Sequence, residues 1–390
     1  MATSKLYNKL SMKFQKGFLA FFLLMLLAIV GTFILKTHVF QQKEKIYNVK
    51  TDFSVKGDGI HDDTKNIQRA IDEVPKGSTI IFPKGVYTVS NILKYKVETG
   101  YGISYSALKI NKPINIVLKD AIIQTNSSEE YGVFWVYKTS NVTIKGGKLI
   151  GKKFSEESRL TSRIGILIQD SKNCLLKNIY TRNFTQGINL YFSNKNKLEN
   201  ISTEYNRGSG IISFRSNRNL IKDCLIRNSS DGDLSLYGGG KDNKVFNCTI
   251  VEDRKNRKNE QGLTIESEKN SIIKNTIVTG FYYGIDIKNG SKNITVQNNR
   301  IFNNQFNIAV RAGDPNNLQT ISNNIKIVNN NVLDIREEKP RGGIILNNGK
   351  NHIIEGNSIN KNTLIIDSNI INNNKNLKNV KINSNTFIES

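Results

Sequence analysis

The chain has 390 residues, 38% hydrophobic and 23% charged, with 29 Gly, 5 Pro and 3 Cys. Ile, Leu, Val and aromatics recur throughout, which excludes a disordered chain; three cysteines in this length build no disulfide framework. Three histidines (His38, His61, His352) argue against a His-rich zinc site or a Ser-His-Asp triad. The formal charge of +23 attracts polyanions: nucleic acid, teichoic acid, anionic lipid or acidic polysaccharide. A coding bias toward Lys, Asn and Ile is the alternative source of that charge.

Gly17 to Leu35 runs 19 residues without a charge, enough at about 1.5 Å per residue to cross a hydrocarbon core about 30 Å thick. Lys5, Lys9, Lys13 and Lys16 precede it with no acid, which predicts an N-terminus on the cytoplasmic side. A cleaved signal peptide is the rival, but the apolar run exceeds a usual signal core and no small-x-small site follows it. Residues 1–16 are therefore expected as a cytoplasmic tail, 17–35 as a transmembrane anchor and 36–45 as a linker. Residues 46–390 are expected as one domain outside the cell membrane, on a bacterial surface. That orientation removes nucleic acid as a partner and favours wall or capsule glycans.

The next segment contains Gly57-Asp58-Gly59-Ile60-His61-Asp62-Asp63-Thr64, then Asn66-Ile67-Gln68-Arg69-Ala70-Ile71-Asp72, then Gly77-Ser-Thr-Ile80-Ile-Phe82-Pro83-Lys-Gly85-Val-Tyr87. Asp63 or Thr64 is placed to cap a short helix whose apolar positions are Ile67, Ala70, Ile71 and Val74. Asp58, Asp62 and Asp63 look like a metal cluster, but capping and turn formation explain them better. The helix would shield the strand at Thr79–Phe82 from pairing with another chain. This segment resembles the opening of the pectate-lyase-like superfamily, in its rhamnogalacturonase, polygalacturonase and phage-tailspike branch. The resemblance implies an all-β fold, a single-stranded right-handed parallel β-helix with an N-terminal cap and first strands over 46–90. Its known members include hydrolases, lyases, epimerases and adhesins.

From residue 165 a unit repeats. Gly165-Ile-Leu-Ile, Gly187-Ile-Asn-Leu, Gly210-Ile-Ile-Ser, Gly232-Asp-Leu-Ser, Gly262-Leu-Thr-Ile, Gly284-Ile-Asp-Ile, Asn307-Ile-Ala-Val and Gly343-Ile-Ile-Leu open successive units at spacings of 22, 23, 22, 30, 22, 23 and 36. A second short strand follows in each, as in Leu176–Thr181 and Leu198–Thr203, with apolar or small residues at alternate positions. No helix fits between such strands, so the pattern excludes βαβ winding and predicts a solenoid. Asn173, Asn196, Asn219, Asn243, Asn270, Asn293 and Asn351 recur once per unit and are expected to stack as one ladder in the turns. Cys224 and Cys248 fall at equivalent inward positions with Ile179, Ile201 and Thr276, and read as buried small residues.

The resemblance also implies where chemistry sits. In polygalacturonases the catalytic carboxylates precede the strand opening on two successive turns. Asp231 takes the first such place, in Asn228-Ser-Ser-Asp231-Gly-Asp233, and Glu260 the second. Tyr283 stands at the family's His, and Arg311 at its Lys. The family's Gly-His-Gly, Asp-Asp and Arg-x-Lys are absent. Hydrolysis needs two carboxylates in one groove, which Asp231, Asp233 and Glu260 are expected to supply. Arg311, with Arg215 or Lys241, is the candidate clamp for a substrate carboxylate. This chemistry requires no cofactor.

Elimination is the second reading, with Ca2+ or an Arg neutralising a uronate carboxylate. Arg182 and Arg227, two turns apart with Glu204 between them, carry it. Tyr191, Phe192, Phe214 and Tyr237 read as an internal aromatic stack, with sugar platforms as the alternative. A tethered rod that binds glycan without cutting it is the third reading. Insertions at 152–164, 251–261 and 311–325 weigh against it, because loops beside a groove shape clefts.

Overall fold

The computed structural model describes Phe21 and residues 24–27, 45–99, 102–126, 131–154, 163–254, 261–313, 321–334, 342–366 and 376–389. The chain divides into two units, residues 1–45 and 46–390. Phe21 and residues 24–27 are helical, and the rest of the expected tail, anchor and linker, Lys45 apart, lies outside the described residues. Among the described residues no helix is long and apolar enough to cross a membrane.

The second unit winds as a parallel β-solenoid, its strands gathered into a 24-stranded sheet A and a 12-stranded sheet B. Each coil has three strands. Leu175–Lys177 and Tyr180–Arg182 belong to sheet A, and Gln186–Tyr191 to sheet B. What reads in sequence as one strand, Leu176–Thr181, is thus two, broken at Asn178 in the left-handed region (φ 56°). Equivalent residues stack in register from coil to coil. Leu176, Leu198, Ile221, Val245, Ile273 and Val296 fill one inward column, and Ile166, Ile188, Ile211, Leu234, Leu263, Ile285 and Ile308 another; all are buried.

Register corrects one assignment. Ile211 pairs with Leu234, so Gly210 is matched by Asp233 rather than by Gly232. A one-residue slip moves a side chain to the other face of a strand, which decides below what Asp233 does.

The asparagines form ladders, but not one. Asn173, Asn270, Asn293, Asn324 and Asn351 share a left-handed bend position, and their exposed amides link coil to coil (Asn293 Nδ2 to Asn270 Oδ1 2.9 Å, Asn324 Nδ2 to Asn293 Oδ1 2.8 Å). Asn196, Asn219 and Asn243 sit one residue further on and are buried. There each Oδ1 accepts the backbone N–H of the coil before, at 2.8–2.9 Å. Asn needs no αL penalty comparable with that of other side chains, and its amide satisfies a buried main-chain donor; these are two separate reasons for its abundance. Cys224 and Cys248 stack inward and are free thiols.

At the N-terminal end, helix α1 (Val49–Phe53) leads to helix α2 (Thr64–Glu73), which buries Ile67, Ala70 and Ile71. Gln68 ties α2 to the main chain of Lys109 through both its amide atoms (2.8 and 2.9 Å). Asp63 occupies the N-cap position, but its carboxylate accepts from the amides of Lys56 and Gly57; Asp62 accepts from the amide of Thr64 instead. Strand Thr79–Phe82 pairs on both sides, with Ile46–Asn48 and with residues 115–118, so it is not a free edge.

A column of inward hydroxyls, Ser171, Ser193, Ser216, Ser291 and Ser322, is interrupted by Gly240 and Glu268 on adjacent coils. A Cβ at Gly240 would meet the backbone oxygen of Ser216 at 2.4 Å and Glu268 Oε2 at 2.7 Å, so the main chain of the coil before and the acid of the coil after both crowd this position. Glu268 is wholly buried, accepts from Asn243 Nδ2 (2.6 Å) and Ser271 Oγ (2.7 Å), and leaves Oε2 without a partner. Burial pushes its carboxyl up from 4.5 to about 7. The folded chain therefore keeps a proton that the unfolded chain loses as pH rises above 4.5, and stability falls through the window 4.5–7. Denaturant unfolding across that range should show a loss of about 3 kcal/mol in the wild type. Glu268→Gln should flatten it; an unchanged slope in the variant would assign the effect elsewhere.

Candidate functional site

The outward face of sheet B carries two readable columns. The central one runs Leu167, Asn189, Ile212, Ser235, Thr264, Asp286, Ala309 and Ile345. The one beside it runs Tyr137, Gln169, Tyr191, Phe214 and Tyr237, then changes character to Glu266, Lys288 and Arg311.

The aromatic part is a stack, but an external one. Tyr191 lies 5.1 Å from Phe214 with planes at 7°, and Phe214 lies 5.2 Å from Tyr237. Tyr191 packs on a small apolar cluster of Val97, Trp135, Ile164 and Leu167, separate from the main core. The expectation of an internal stack fails because Leu190, Ser213 and Leu236, one residue earlier, take the inward positions. Ring faces in the stack are turned to each other, so only its last member, Tyr237, also borders a cavity.

That cavity holds about 230 Å3 and is lined by Asp231, Ser235, Tyr237, Gln261, Glu266 and Lys288, among others. Next to it lies a charged network. Asp286 is wholly buried and receives Arg311 through Nε (2.7 Å) and Nη2 (2.8 Å), while Lys288 Nζ stands 3.3 Å from its Oδ2. Lys288 also approaches Glu266 at 3.9 Å, and Asn289 Nδ2 donates to Glu266 Oε1 at 2.5 Å. The Arg311 guanidinium lies 4.6 Å over the ring of Tyr283, which stacks on Phe306 at 5.3 Å. Burial pushes the Tyr283 phenol up, with Arg311 pulling the other way, so it remains a donor at neutral pH. Burial opposes the charge on Arg311, but Asp286 more than offsets it and raises the guanidinium above its ordinary value. The central column accepts Leu167, Ile212 and Ala309 on other coils, so the backbone does not require an acid at Asp286. A buried charge network beside a cavity makes this face the candidate site.

The expected site residues divide. Asp231, Tyr283 and Arg311 reach this region. Asp233 does not: it sits in the glycine column, wholly buried, its Oδ1 accepting from the amide of Ser229 (2.7 Å) and its carboxyl pushed well up by burial. Glu260 lies outside the described residues. Arg311 is not a free clamp, since Asp286 takes its fork. Arg215 lies over Phe192 and Phe214, and Lys241 is exposed on the bend after sheet B, in register with Lys269 and Lys292. Glu266, Asp286 and Lys288 went unnoticed in sequence. Their signal is alternation: residues two and four places after Gly262 and Gly284 point outward. The second cluster exists on sheet A, where Arg227 Nε holds Glu204 at 2.6 Å, Arg182 stands 3.8 Å from it and Tyr180 donates to it. It belongs to sheet A.

Residues 132–301 match the family model described as a right handed beta helix region. The protein YclG of Bacillus subtilis (strain 168), itself uncharacterized, is 28% identical over 201 residues, 48% of this chain and 32% of that protein. The chain thus spans about a third of that relative's length. Among solved structures, the A-module of mannuronan C-5 epimerase AlgE6 from Azotobacter vinelandii superposes with a TM-score of 0.61 at 15% identity, covering 88% of this chain and 100% of that one. The Streptococcus pneumoniae surface protein and adhesin PfbA gives 0.64 at 16%, over 87% and 96%. A tailspike mutant of E. coli bacteriophage HK620, in complex with a pentasaccharide, gives 0.67 at 12%, over 88% and 66%. The protein is a right-handed parallel β-solenoid of the architecture shared by polysaccharide-acting enzymes, tailspikes and surface adhesins. At these identities the likeness carries the fold alone.

Removing one partner of a buried ion pair costs about 3–5 kcal/mol, whereas replacing both by apolar residues is often neutral. Lys288 still faces Asp286 in Arg311→Met, so that variant should destabilise by less, about 1–3 kcal/mol in urea unfolding. Asp286→Leu with Arg311→Met should return to within about 1 kcal/mol of wild type, because the column already accommodates Leu and Ile. A double variant as unstable as the single would show that the network serves the fold.

Proposed function

We propose that the chain acts on an acidic polysaccharide laid along the outward face of sheet B, and that it cleaves it by hydrolysis. The observation that carries this reading is the pair of carboxylates, Asp231 and Glu266, lining one cavity between the last ring of the aromatic stack and Lys288. Glycoside hydrolysis asks for two carboxylates flanking one bond, one to give a proton and one to activate water or attack. Glu266 replaces Asp233 in this role, and Tyr237 offers the sugar an apolar wall. Arg311 and Lys288 act here as fixed dipoles with their acids. The row Lys241, Lys269 and Lys292, on the bend beyond the groove, supplies the field that draws a polyanion in. No cofactor enters; Ca2+ belongs to the elimination alternative. An anchor at 17–35 would hold the rod on the outer side of the cell membrane.

A binding rod without catalysis is the second reading, favoured by one observation. Glu266 is engaged by the side chains of both Asn289 and Lys288, whereas Asp231 accepts from the amide of Gly232 (3.0 Å) and has no side-chain partner among the described residues. Likeness to a mannuronan epimerase and to a tailspike with bound pentasaccharide supports glycan engagement in either case.

The test uses the full chain in detergent with a panel of acidic and neutral glycans, scored for reducing ends, unsaturated uronates and retention. Hydrolysis predicts reducing ends without unsaturated product, lost at least about a hundredfold in Asp231→Asn and in Glu266→Gln. Unsaturated product would replace hydrolysis by elimination. Retention that weakens with salt, without either product, would leave a binding rod.

A further inference from the structure

A second cavity, of about 470 Å3, opens on the bend that follows sheet B, where three earlier coils meet; Lys138, Ser140, Asp170, Lys172, Phe192 and Asn194 contribute to its wall. Phe192 is the anomaly. It occupies a bend position that is left-handed on every coil compared: Lys138, Asp170, Phe192, Arg215, Gly238, Ser267 and Asn289, with φ of 50° at the phenylalanine. Asp, Asn and Gly adopt that geometry most readily; Lys138, Phe192 and Arg215 are the large side chains that share it, and Phe192 is the aromatic one that borders the recess. The ring is nevertheless held there 39% exposed. Arg215, from the following coil, lies 5.7 Å over its ring, while the cavity is built by the two preceding coils together with Phe192's own. The ring also packs edge-on against Tyr191 (4.8 Å) and Phe214 (6.0 Å), so it extends the aromatic stack to the border of a polar recess. Backbone strain at a surface recess is grounds for a functional hypothesis.

The rest of the wall fits one ligand chemistry. Lys172 is exposed and has no ion-pair partner among the described residues, and Lys138 lies over Tyr137 at 5.0 Å. Asp170 is an acceptor. Asn194 accepts through Oδ1 from the backbone and side-chain amides of Asn217 (2.9 and 2.8 Å), which leaves its Nδ2 to donate. An apolar ring face, two ammonium groups and a mixed set of donors and acceptors match a pyranose that carries a carboxylate.

We propose that this recess is an accessory subsite for a sugar acid, with the ring on Phe192 and the carboxylate on Lys172 and Lys138. It rests on the reading of the chain as glycan-engaging but not on hydrolysis in the groove, which lies on later coils. A polymer running along the rod would be gripped here while its reacting bond sits at Asp231.

The test measures binding of four probes, D-galacturonate, D-glucuronate, D-mannuronate and N-acetylneuraminate, to the full chain by saturation-transfer NMR, with D-galactose as the uncharged control. At least one sugar acid should bind more tightly than galactose. Phe192→Asn, which places a residue this column already accepts at Asn289, should weaken that binding about tenfold and melt no lower than wild type. Lys172→Gln should weaken it several-fold. Unaltered binding in Phe192→Asn, or no binding of any sugar acid by the wild type, would overturn the subsite. Loss of polymer cleavage alone bears only on the groove.

Discussion

Parallel register between successive coils is the constraint from which the rest of this molecule follows. Each strand pairs with its equivalent one coil on, so every side chain meets its own counterpart above and below. Stability in such a rod is a sum over neighbouring interfaces, and each column must be chemically compatible with itself. Aliphatic columns satisfy this by burial. The serine and asparagine columns satisfy it by bonding a side-chain oxygen to the N–H of the coil before. Where a column changes residue type, a neighbour has to change with it, as Gly240 does for Glu268.

Periodicity made the solenoid legible, because Gly-Ile-x-Ile openings state both spacing and facing. What it could not fix was register to a single residue across an irregular unit. The unit with Gly232 and Asp233 offers two openings, and the choice between them turns Asp233 from an outward acid into a buried one. The same one-residue resolution separates the exposed asparagines at Asn270 and Asn293 from the buried ones at Asn196 and Asn219. It also moves Tyr191 and Phe214 from the expected interior to the outer face. Side-chain type alone does not distinguish these cases; only the position of the left-handed bend residue does.

The groove was half legible for a related reason. Arg311 and Asp286 lie 25 residues apart in sequence and on adjacent coils in space, so neither names its partner in a linear reading. Their pairing changes the electrostatic picture. With Glu266, Asp286, Lys288 and Arg311 together, the network is formally neutral, and the chain's large positive charge is not expressed there. Lysines with no ion pair among the described residues run instead along the neighbouring bend at Lys241, Lys269 and Lys292. Long-range attraction and short-range recognition are therefore carried by different columns, which is how charged surfaces raise encounter rates without fixing specificity.

In a solenoid the other coils act as internal controls for what the backbone requires. Glu268 departs from its column, yet Gly240 compensates it inside the core, so that departure belongs to packing. Asp286 departs from an apolar and small-residue column, and its compensation comes from Lys288 and Arg311 at the groove rather than from the core. Phe192 shares its left-handed bend column with Lys138, Asp170 and Arg215, and its ring is packed by Tyr191 and Phe214 as well as by Arg215. Departures answered from within can be explained by folding alone. Departures answered at the outer face of sheet B place charge beside the cavity lined by Asp231 and Glu266.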